Sequence, residues 1–245
     1  MTYVFDMDGT LTDSSCEIDF GFKKFLMQFF QNNSCAIITG AEMQSIIFQL
    51  GADLVSKAEW LFACNGEHIV HRGKTIFKGR WILKPSAKRY LENFVRDSSF
   101  PHRTGYHFDD RIGMCNFSVL GRNATREQRR HYVAWDIATN ERLNIAKKFN
   151  SRFKKMKARV AGETGLDITH LHSSKASLLK YINKEQIKFF GDKMNRKGND
   201  FPLAKRLQKS QCFPVTTWKD TYSLLTQNTH DPHCISNAKA AVLCE

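Results

Sequence analysis

In the N-terminal part of this 245-residue chain, and again after about residue 173, short apolar runs alternate with segments whose apolar residues recur at helical spacing. Few folds accommodate that alternation. Residues 2–6, 34–39 and 60–64 have the length and composition of buried strands. The segments at residues 17–31 and 40–51 carry apolar side chains at helical spacing. Strands that alternate with helices indicate a parallel sheet covered by helices. The sequence therefore predicts a Rossmann-like α/β core.

The middle of the chain follows a different pattern. In chain order it predicts a helix at about residues 85–96, a strand at 111–121, one charged helix at 125–149, and short strands near 158–160 and 166–169. After residue 172 the alternation of strands and helices resumes, with predicted helices at 173–182, 200–208 and 218–225 and predicted strands at 187–191 and 212–216. An α+β module inserted into an α/β domain is the simplest organisation that fits this order.

These patterns set the expected domain limits. Residues 1–81 and 172–227 are predicted to form the α/β core domain, and residues 82–171 the inserted α+β domain. Residues 228–245 are polar and aperiodic, so we expect a C-terminal tail with no assigned function.

The formal net charge of +13 favours polyanionic partners, a class that includes nucleic acids, acidic membranes and phosphorylated metabolites. Residues 82–171 contain 18 Lys and Arg against 9 Asp and Glu, so most of the excess lies in the inserted domain. The inserted domain is therefore expected to face the anion.

Several classes of protein are excluded or disfavoured. No apolar run reaches the ~20 residues of a membrane helix, and the N-terminus lacks the pattern of a signal peptide. Seven scattered cysteines without a CxxC pair indicate neither a disulfide framework nor a zinc site. We therefore expect a cytoplasmic protein that does not associate with membranes.

Two carboxylates, Asp6 and Asp8, directly follow the first predicted strand. Open parallel sheets bind their ligands at the carboxyl ends of their strands. Gly9 permits a tight turn, and the loop that follows is polar. An attacking carboxylate at this place could meet a phosphate, although an ordinary polar loop would also fit.

A second acidic cluster, Asp192 and Asp200, follows a later strand. Carboxylates from two strand ends suit Mg²⁺, which prefers oxygen ligands and bridges to phosphate. Thr39 follows the second strand and Lys175 begins a predicted helix. A hydroxyl and an ammonium can neutralise phosphate oxygens during transfer.

The order Asp–x–Asp–Gly–Thr, Thr, Lys, Gly–Asp…Asn–Asp resembles the haloacid dehalogenase-like superfamily. The resemblance implies that Asp6 is a nucleophile that forms an aspartyl-phosphate. It implies that Asp8 is the general acid/base and also gives its backbone carbonyl to the metal. The remaining implied roles are phosphate binding by Thr39 and Lys175, metal binding by Asp6 and Asp192, and support of the metal by Asp200 with Asn199.

The inserted domain carries its own string, Arg111–x–Gly–Met–x–Asn116–x–Ser118–x–x–Gly–Arg122. This string resembles the cap signature of eukaryotic-type phosphomannomutases, and the likeness covers most of residues 1 to about 222. Arginines bind phosphate oxygens bidentately, so two of them can hold a dianion. The resemblance implies a phosphosugar substrate, a hexose bisphosphate activator, a possible homodimer through the cap, and substrate contacts from Arg103, Arg111, Asn116, Ser118, Arg122 and Asp167.

The chain also departs from that family. Gly165 stands where the family usually has a Ser, the second-strand motif is Ile–Ile–Thr–Gly–Ala instead of a Gly–Gly–Ser type, and the first loop lacks Pro–Ala–Arg. Two enzymatic readings follow from the sequence: a phosphohexomutase that interconverts mannose 6-phosphate and mannose 1-phosphate, and a phosphatase of a sugar phosphate or other small phosphoester. A third hypothesis is a basic nucleic-acid-binding protein, but this function would not explain the two acidic clusters, which would repel phosphate in the absence of a metal.

Overall fold

The computed structural model describes residues 1–196 and 198–227, and within them the strands form two separate sheets. The larger sheet has seven strands in the order β11-β10-β1-β2-β3-β4-β5. Their bounds are β1 Thr2–Phe5, β2 Ser34–Ile38, β3 Trp60–Ala63, β4 His68–His71, β5 Lys74–Lys78, β10 Ile187–Gly191 and β11 Cys212–Pro214.

The predicted parallel α/β core is confirmed for five of the seven strands of this sheet, because β11, β10, β1, β2 and β3 all pair in parallel. Strands β4 and β5 form an antiparallel hairpin at one edge and were not predicted from the sequence. Every residue of β5 is exposed, so it lacks the buried apolar residues that would have revealed a strand.

The helices of the core cover both faces of the sheet with apolar side chains. Asp19 begins the first helix by accepting a hydrogen bond from the backbone N–H of Phe22. The core helices are α1 Phe20–Asn32, α2 Met43–Leu50, α3 Ala52–Val55, α7 Phe201–Ala204 and α8 Trp218–Gln227. The predicted helices at 173–182 and 200–208 are too long, since the structure has a 3₁₀ helix at Lys175–Lys180 and the four-residue α7.

The second sheet, which we call the cap sheet, is antiparallel with the order β6-β7-β9-β8. Its strands are β6 Phe108–Arg111, β7 Met114–Phe117, β8 Met156–Ala161 and β9 Gly165–His170, and its helices are α4 Pro85–Asp97, α5 Arg126–Thr139 and α6 Glu141–Arg152. One face of the sheet packs on these helices in an apolar core of its own.

Two predictions for this part of the chain are wrong in detail. The predicted strand at 111–121 is a hairpin, because Gly113 takes a left-handed φ of 67° between β6 and β7. The predicted helix at 125–149 is two helices, since Asn140 has φ 54° and ψ 33° and ends α5. Asparagine adopts this left-handed conformation more readily than most residues, so it marked the break.

The strand register of the cap sheet places four polar side chains in one row. Asp109 lies opposite Asn116, Asn116 opposite Asp167, and Asp167 opposite Arg159. Residues directly opposite one another share a face of the sheet, and this row belongs to the face away from the cap helices.

The two sheets agree with the division into a core and an inserted cap, although the exact limits at residues 81 and 171 stay a prediction. The C-terminal tail at 228–245 lies outside the described residues. No helix in the described part of the chain is long and apolar enough to cross a membrane.

Candidate active site

Three adjacent strands of the core deliver the candidate catalytic residues to one edge of the sheet. Asp6 follows β1, and its backbone N–H continues the ladder by donating to Phe190 O of β10 at 2.9 Å. Thr39 follows β2, and Asp192 follows β10. Since β10, β1 and β2 are neighbours, their carboxyl ends bring these side chains together.

A buried lysine stands at the centre of the acidic cluster. Lys175 Nζ lies 2.6 Å from Asp6 Oδ1 and 2.7 Å from Asp200 Oδ1, and all three side chains are almost fully buried. Asp6 Oδ1 also accepts a hydrogen bond from the backbone N–H of Met7 at 2.7 Å. These contacts fix the orientation of the Asp6 carboxylate and leave its other oxygen for chemistry.

The cluster carries an excess of negative charge. Burial raises the pKa of Asp6 well above its usual range, and Asp200 and Asp192 add to the rise against the attraction of Lys175. Burial likewise raises the pKa of Asp192, although Lys193 contacts its carboxylate and opposes the rise. A further cation would relieve this crowding of carboxylates.

The donor set fits a divalent metal ion such as Mg²⁺. Oxygens of Asp6, Asp192 and Asp200 all lie within 4.8 Å of one another. Asp192 Oδ1 and Asn199 Oδ1 are buried without a hydrogen-bond partner among residues 1–196 and 198–227. Buried carbonyl and carboxylate oxygens without partners are costly, and a hard cation would satisfy them.

Asp8 lines the pocket but does not belong to the cluster formed by Asp6, Asp192 and Asp200. Its Oδ1 accepts a hydrogen bond from the backbone N–H of Ser15 at 2.8 Å. Gly9 takes φ 77°, and a Cβ atom there would lie 2.7 Å from Asp192 Oδ2. The glycine therefore lets this loop pass close to the second acidic cluster.

The pocket itself lies between the core and the cap sheet. Of the predicted site residues it is lined by Asp6, Asp8, Thr39, Arg111, Asn116, Arg122 and Asp167, with Asn199 beside them. Lys175, Asp192 and Asp200 do not line the pocket. Lys175 contacts Asp6 and Asp200, and carboxylate oxygens of Asp6, Asp192 and Asp200 lie within 4.8 Å of one another. The structure thus brings the core residues and the cap residues to one cavity.

Two hydrogen bonds join the cap to the core at this cavity. Arg111 Nη1 donates to Gly40 O at 2.7 Å, and Asn65 Nδ2 donates to Asp167 Oδ2 at 2.8 Å. A Cβ atom at Gly40 would lie 2.6 Å from Asp167 Oδ2, so only glycine allows this approach. The cap is therefore in contact with the strand-end loops of the core.

A network of polar contacts orders the cap side of the pocket. Asn116 Nδ2 donates to Asp167 Oδ1 at 2.8 Å, and Asn116 Oδ1 accepts from Arg122 Nη1 at 3.1 Å. Arg111 is held by Asp109, with an Nη2 to Oδ2 distance of 2.5 Å. The two arginines thus point into the pocket from fixed positions.

The sequence model of the eukaryotic phosphomannomutase family matches residues 22–230. The chain belongs to the eukaryotic phosphomannomutase family. The resemblance inferred from the sequence motifs is therefore confirmed at the level of the family.

Named members of the family align over nearly the whole chain. The phosphomannomutase of Dendrobium officinale is 28% identical over 227 residues, covering 89% of this chain and 90% of the relative. The phosphomannomutase of Saccharomyces cerevisiae is 25% identical over 237 residues, covering 91% and 92%.

Solved structures support the fold. An IMP-bound, N-terminally truncated IMP-nucleotidase of Plasmodium falciparum superposes with a TM-score of 0.65 at 13% identity, over 94% of this chain and 68% of that chain. A haloacid dehalogenase-like hydrolase from Bacteroides thetaiotaomicron gives a TM-score of 0.58 at 14% identity, over 93% and 98%. The predicted fold class, a haloacid dehalogenase-like core with an inserted cap, is thereby confirmed.

Two residues predicted to bind substrate lie elsewhere in this phosphomannomutase-family chain. The guanidinium of Arg103 donates to four backbone carbonyl oxygens, including Val95 O at 2.6 Å and Ser98 O at 2.8 Å. It therefore stabilises the end of α4 and does not line the pocket. Ser118 Oγ donates to Thr164 O at 3.0 Å and accepts from Gly121 N, so it fixes loops behind the pocket.

The structure adds residues that the sequence analysis did not assign to the site. Arg129 and Lys193 line the pocket, and Arg129 Nε lies 3.1 Å from Glu163 Oε2. Asn65 contacts Asp167 across the boundary of cap and core. Arg129 lies within the string that follows the cap signature, and Lys193 directly follows Asp192, so proximity to these motifs was the signal available.

Gly165 has a clear packing consequence in this family member. A Cβ atom at this position would lie 2.8 Å from both Nδ2 and Oδ1 of Asn116. The amide of Asn116 therefore occupies space that a serine would need. A side chain at position 165 would therefore require Asn116 to move.

Proposed function

We propose that this chain is a phosphohexomutase that interconverts mannose 6-phosphate and mannose 1-phosphate. The observation that carries the proposal is that Asp6 and the pair Arg111 and Arg122 line one pocket between core and cap. A nucleophile on one wall and two guanidinium groups on the other suit a sugar that carries a phosphate at each end. Membership of the phosphomannomutase family supports the same reaction.

In the proposed first step, an oxygen of the Asp6 carboxylate attacks one phosphorus of a hexose bisphosphate. The P–O bond to the sugar breaks, and the sugar oxygen takes a proton from Asp8. Asp8 lines the pocket, and the hydrogen bond from the backbone N–H of Ser15 orients its carboxylate. A general acid/base needs such a fixed position close to the substrate. The enzyme then carries an aspartyl-phosphate on Asp6.

In the return step, Asp8 accepts the proton of a sugar hydroxyl, and that oxygen attacks the phosphorus on Asp6. The acyl-phosphate bond breaks, which frees the Asp6 carboxylate and forms the bisphosphate again. Thr39 and Lys175 offset charge on the transferred phosphoryl group, while Arg111 and Arg122 hold the phosphate that is not transferred. Interconversion requires the bisphosphate to bind in both orientations.

A divalent cation held by Asp6, Asp192 and Asp200 would supply charge neutralisation at the phosphoryl group. Asp8 is expected to contribute its backbone carbonyl, and Asn199 lies close enough to the pocket to support the ion. Two hydrogen bonds join the cap to the core beside the pocket, and a cap that closes over bound substrate would protect an aspartyl-phosphate from hydrolysis.

The test is to incubate purified protein and Mg²⁺ with mannose 1-phosphate, with and without glucose 1,6-bisphosphate. Mannose 6-phosphate and free phosphate are both followed. We expect bisphosphate-dependent formation of mannose 6-phosphate, and we expect Asp6→Asn to abolish it because an amide is a poor nucleophile. Release of free phosphate without mannose 6-phosphate would identify a phosphatase instead.

Two further expectations accompany this proposal. A homodimer through the cap is implied by the family resemblance, and light scattering at micromolar concentration tests it. The expected cytoplasmic location stays a prediction.

A further inference from the structure

Asp109 contacts both arginines of the proposed phosphate clamp, Arg111 and Arg122. A single oxygen, Asp109 Oδ2, lies 2.8 Å from Nε and 2.5 Å from Nη2 of Arg111. The same oxygen lies 3.5 Å from Nη2 of Arg122. One carboxylate therefore joins two guanidinium groups.

The two arginines belong to different segments, so the local backbone alone does not set the distance between their side chains. Arg111 ends β6, two residues after Asp109, and therefore lies on the same face of that strand. Arg122 belongs to the loop that follows β7. The Asp109 carboxylate is a shared contact that sets the distance between these side chains.

Electrostatics explains why an anion is needed between them. Burial lowers the pKa of Arg122, and the neighbouring positive charge of Arg111 lowers it further, while Asp109 opposes both effects. Burial also disfavours the charged form of Arg111, yet the carboxylates of Asp167 and Asp109 raise its pKa. Without Asp109, the two partly buried cations would lose the carboxylate that contacts both of them, and their mutual repulsion would increase.

Asp109 itself does not line the pocket. Its carboxylate lies behind the arginines, at the edge-strand end of the polar row that continues through Asn116 and Asp167. A carboxylate in the pocket would repel a phosphate, whereas one behind the guanidinium groups favours their charged form and fixes their orientation.

We propose that Asp109 is a positioning residue that holds Arg111 and Arg122 as one unit for the phosphate that is not transferred. The inference rests on the proposed function, since it assigns the distal phosphate of a phosphosugar to this pair. It adds the residue that sets the geometry of the pair.

The chain offers a matched control for the test. Asp110 is the next residue on the same strand, but it contacts Lys88 at 2.6 Å and neither arginine. We would compare Asp109→Asn, Asp109→Glu and Asp110→Asn with the unaltered protein. The readouts are kcat/KM for mannose 1-phosphate with glucose 1,6-bisphosphate, hydrolysis of p-nitrophenyl phosphate, and the midpoint of thermal unfolding.

We expect Asp109→Asn to lower kcat/KM for mannose 1-phosphate about 10- to 100-fold, because the amide keeps an acceptor oxygen but loses the charge that strengthens its hydrogen bonds to the guanidinium groups. Hydrolysis of p-nitrophenyl phosphate should change little, since this ester has no second phosphate to hold. Asp109→Glu should recover part of the loss because it restores the carboxylate. Asp110→Asn should behave like the unaltered protein in both assays.

The inference is overturned if Asp109→Asn matches Asp110→Asn, if both substrates lose activity equally, or if mannose 1-phosphate is used more efficiently. The last result would make Asp109 a competitor for the arginines. Failure of the proposed function is a different result, because the unaltered protein would then form no mannose 6-phosphate.

Discussion

The ammonium of Lys175 lies 2.6 Å from a carboxylate oxygen of Asp6, and both side chains are buried. Lys175 also contacts Asp200 at 2.7 Å, so one cation compensates two carboxylates. The carboxylates raise the pKa of Lys175 against the opposing effect of burial, which keeps the ammonium charged. This contact links the nucleophile of the proposed reaction to the stability of the fold.

Replacement of Lys175 should therefore destabilise the protein as well as inactivate it. Lys175→Met leaves two buried carboxylates without their cation, so we expect the free energy of unfolding to fall by ~3–5 kcal/mol. Urea unfolding in EDTA measures the change. The double variant Lys175→Met/Asp200→Asn should recover part of it, because one uncompensated charge is removed.

A matched lysine is available beside this cluster. Lys193 contacts Asp192 and its side chain is 29% exposed, so Lys193→Met should cost ~1 kcal/mol or less. If the two lysine variants lost equal stability, the central role assigned to Lys175 would be wrong.

Magnesium should bind to the folded protein with a measurable effect on stability. A cation that binds only the folded state at 100 times its Kd adds about 2.7 kcal/mol. We expect Mg²⁺ to raise the Tm of the unaltered protein and EDTA to reverse the rise. Asp192→Asn should weaken the response, because it removes one of the three clustered carboxylates. If Mg²⁺ left the Tm of the unaltered protein and of Asp192→Asn unchanged, the proposed metal site would be contradicted.

Arg122 should matter for a phosphosugar and not for a small phosphoester. Arg122→Ala removes a charge-assisted contact worth roughly 1.5–3 kcal/mol, so mutase turnover should fall sharply. Hydrolysis of p-nitrophenyl phosphate should stay close to that of the unaltered protein. Arg130, which is exposed on α5 outside the pocket, provides the control variant Arg130→Ala. Equal loss of both activities in Arg122→Ala would indicate support of cap structure instead of phosphate binding.

A serine at position 165 should impair this protein, although the family pattern to which the sequence was compared has a serine there. Gly165→Ser would place a Cβ atom 2.8 Å from Asn116, so Asn116 must leave its contacts with Asp167 and Arg122. Overpacking of this kind costs ~1–3 kcal/mol, and the displaced amide should reduce mutase turnover. Steady-state kinetics and thermal unfolding measure the two effects.

A double-mutant cycle with Asn116→Ala isolates the steric cause. If the two side chains clash, the stability cost of Gly165→Ser should be smaller when Asn116 is already truncated. Strictly additive stability losses would show that the glycine matters for another reason.

The family resemblance, the α/β core and the place of the candidate catalytic carboxylates could all be predicted from the sequence alone. These features are local, because Asp6 and Asp192 each directly follow an apolar strand and parallel strands end at the same edge of their sheet. The spacing of motifs along the chain was therefore enough to predict that Asp6, Thr39 and Asp192 meet. The sequence could not show that β4 and β5 extend the sheet, since the exposed β5 has no buried face.

The contacts of the arginines could be read from the folded structure but not from the sequence. The sequence predicted the same substrate-binding role for Arg103, Arg111 and Arg122. In the structure, Arg103 binds backbone carbonyls at the end of α4, while the other two line the pocket. The contact of Asp109 with Arg122 depends on the hairpin at Gly113 and on the loop after β7. A guanidinium binds the carboxylates or carbonyls that tertiary packing brings within reach. That proximity depends on strand register and on the position of the cap on the core, and no local sequence pattern encodes either of them.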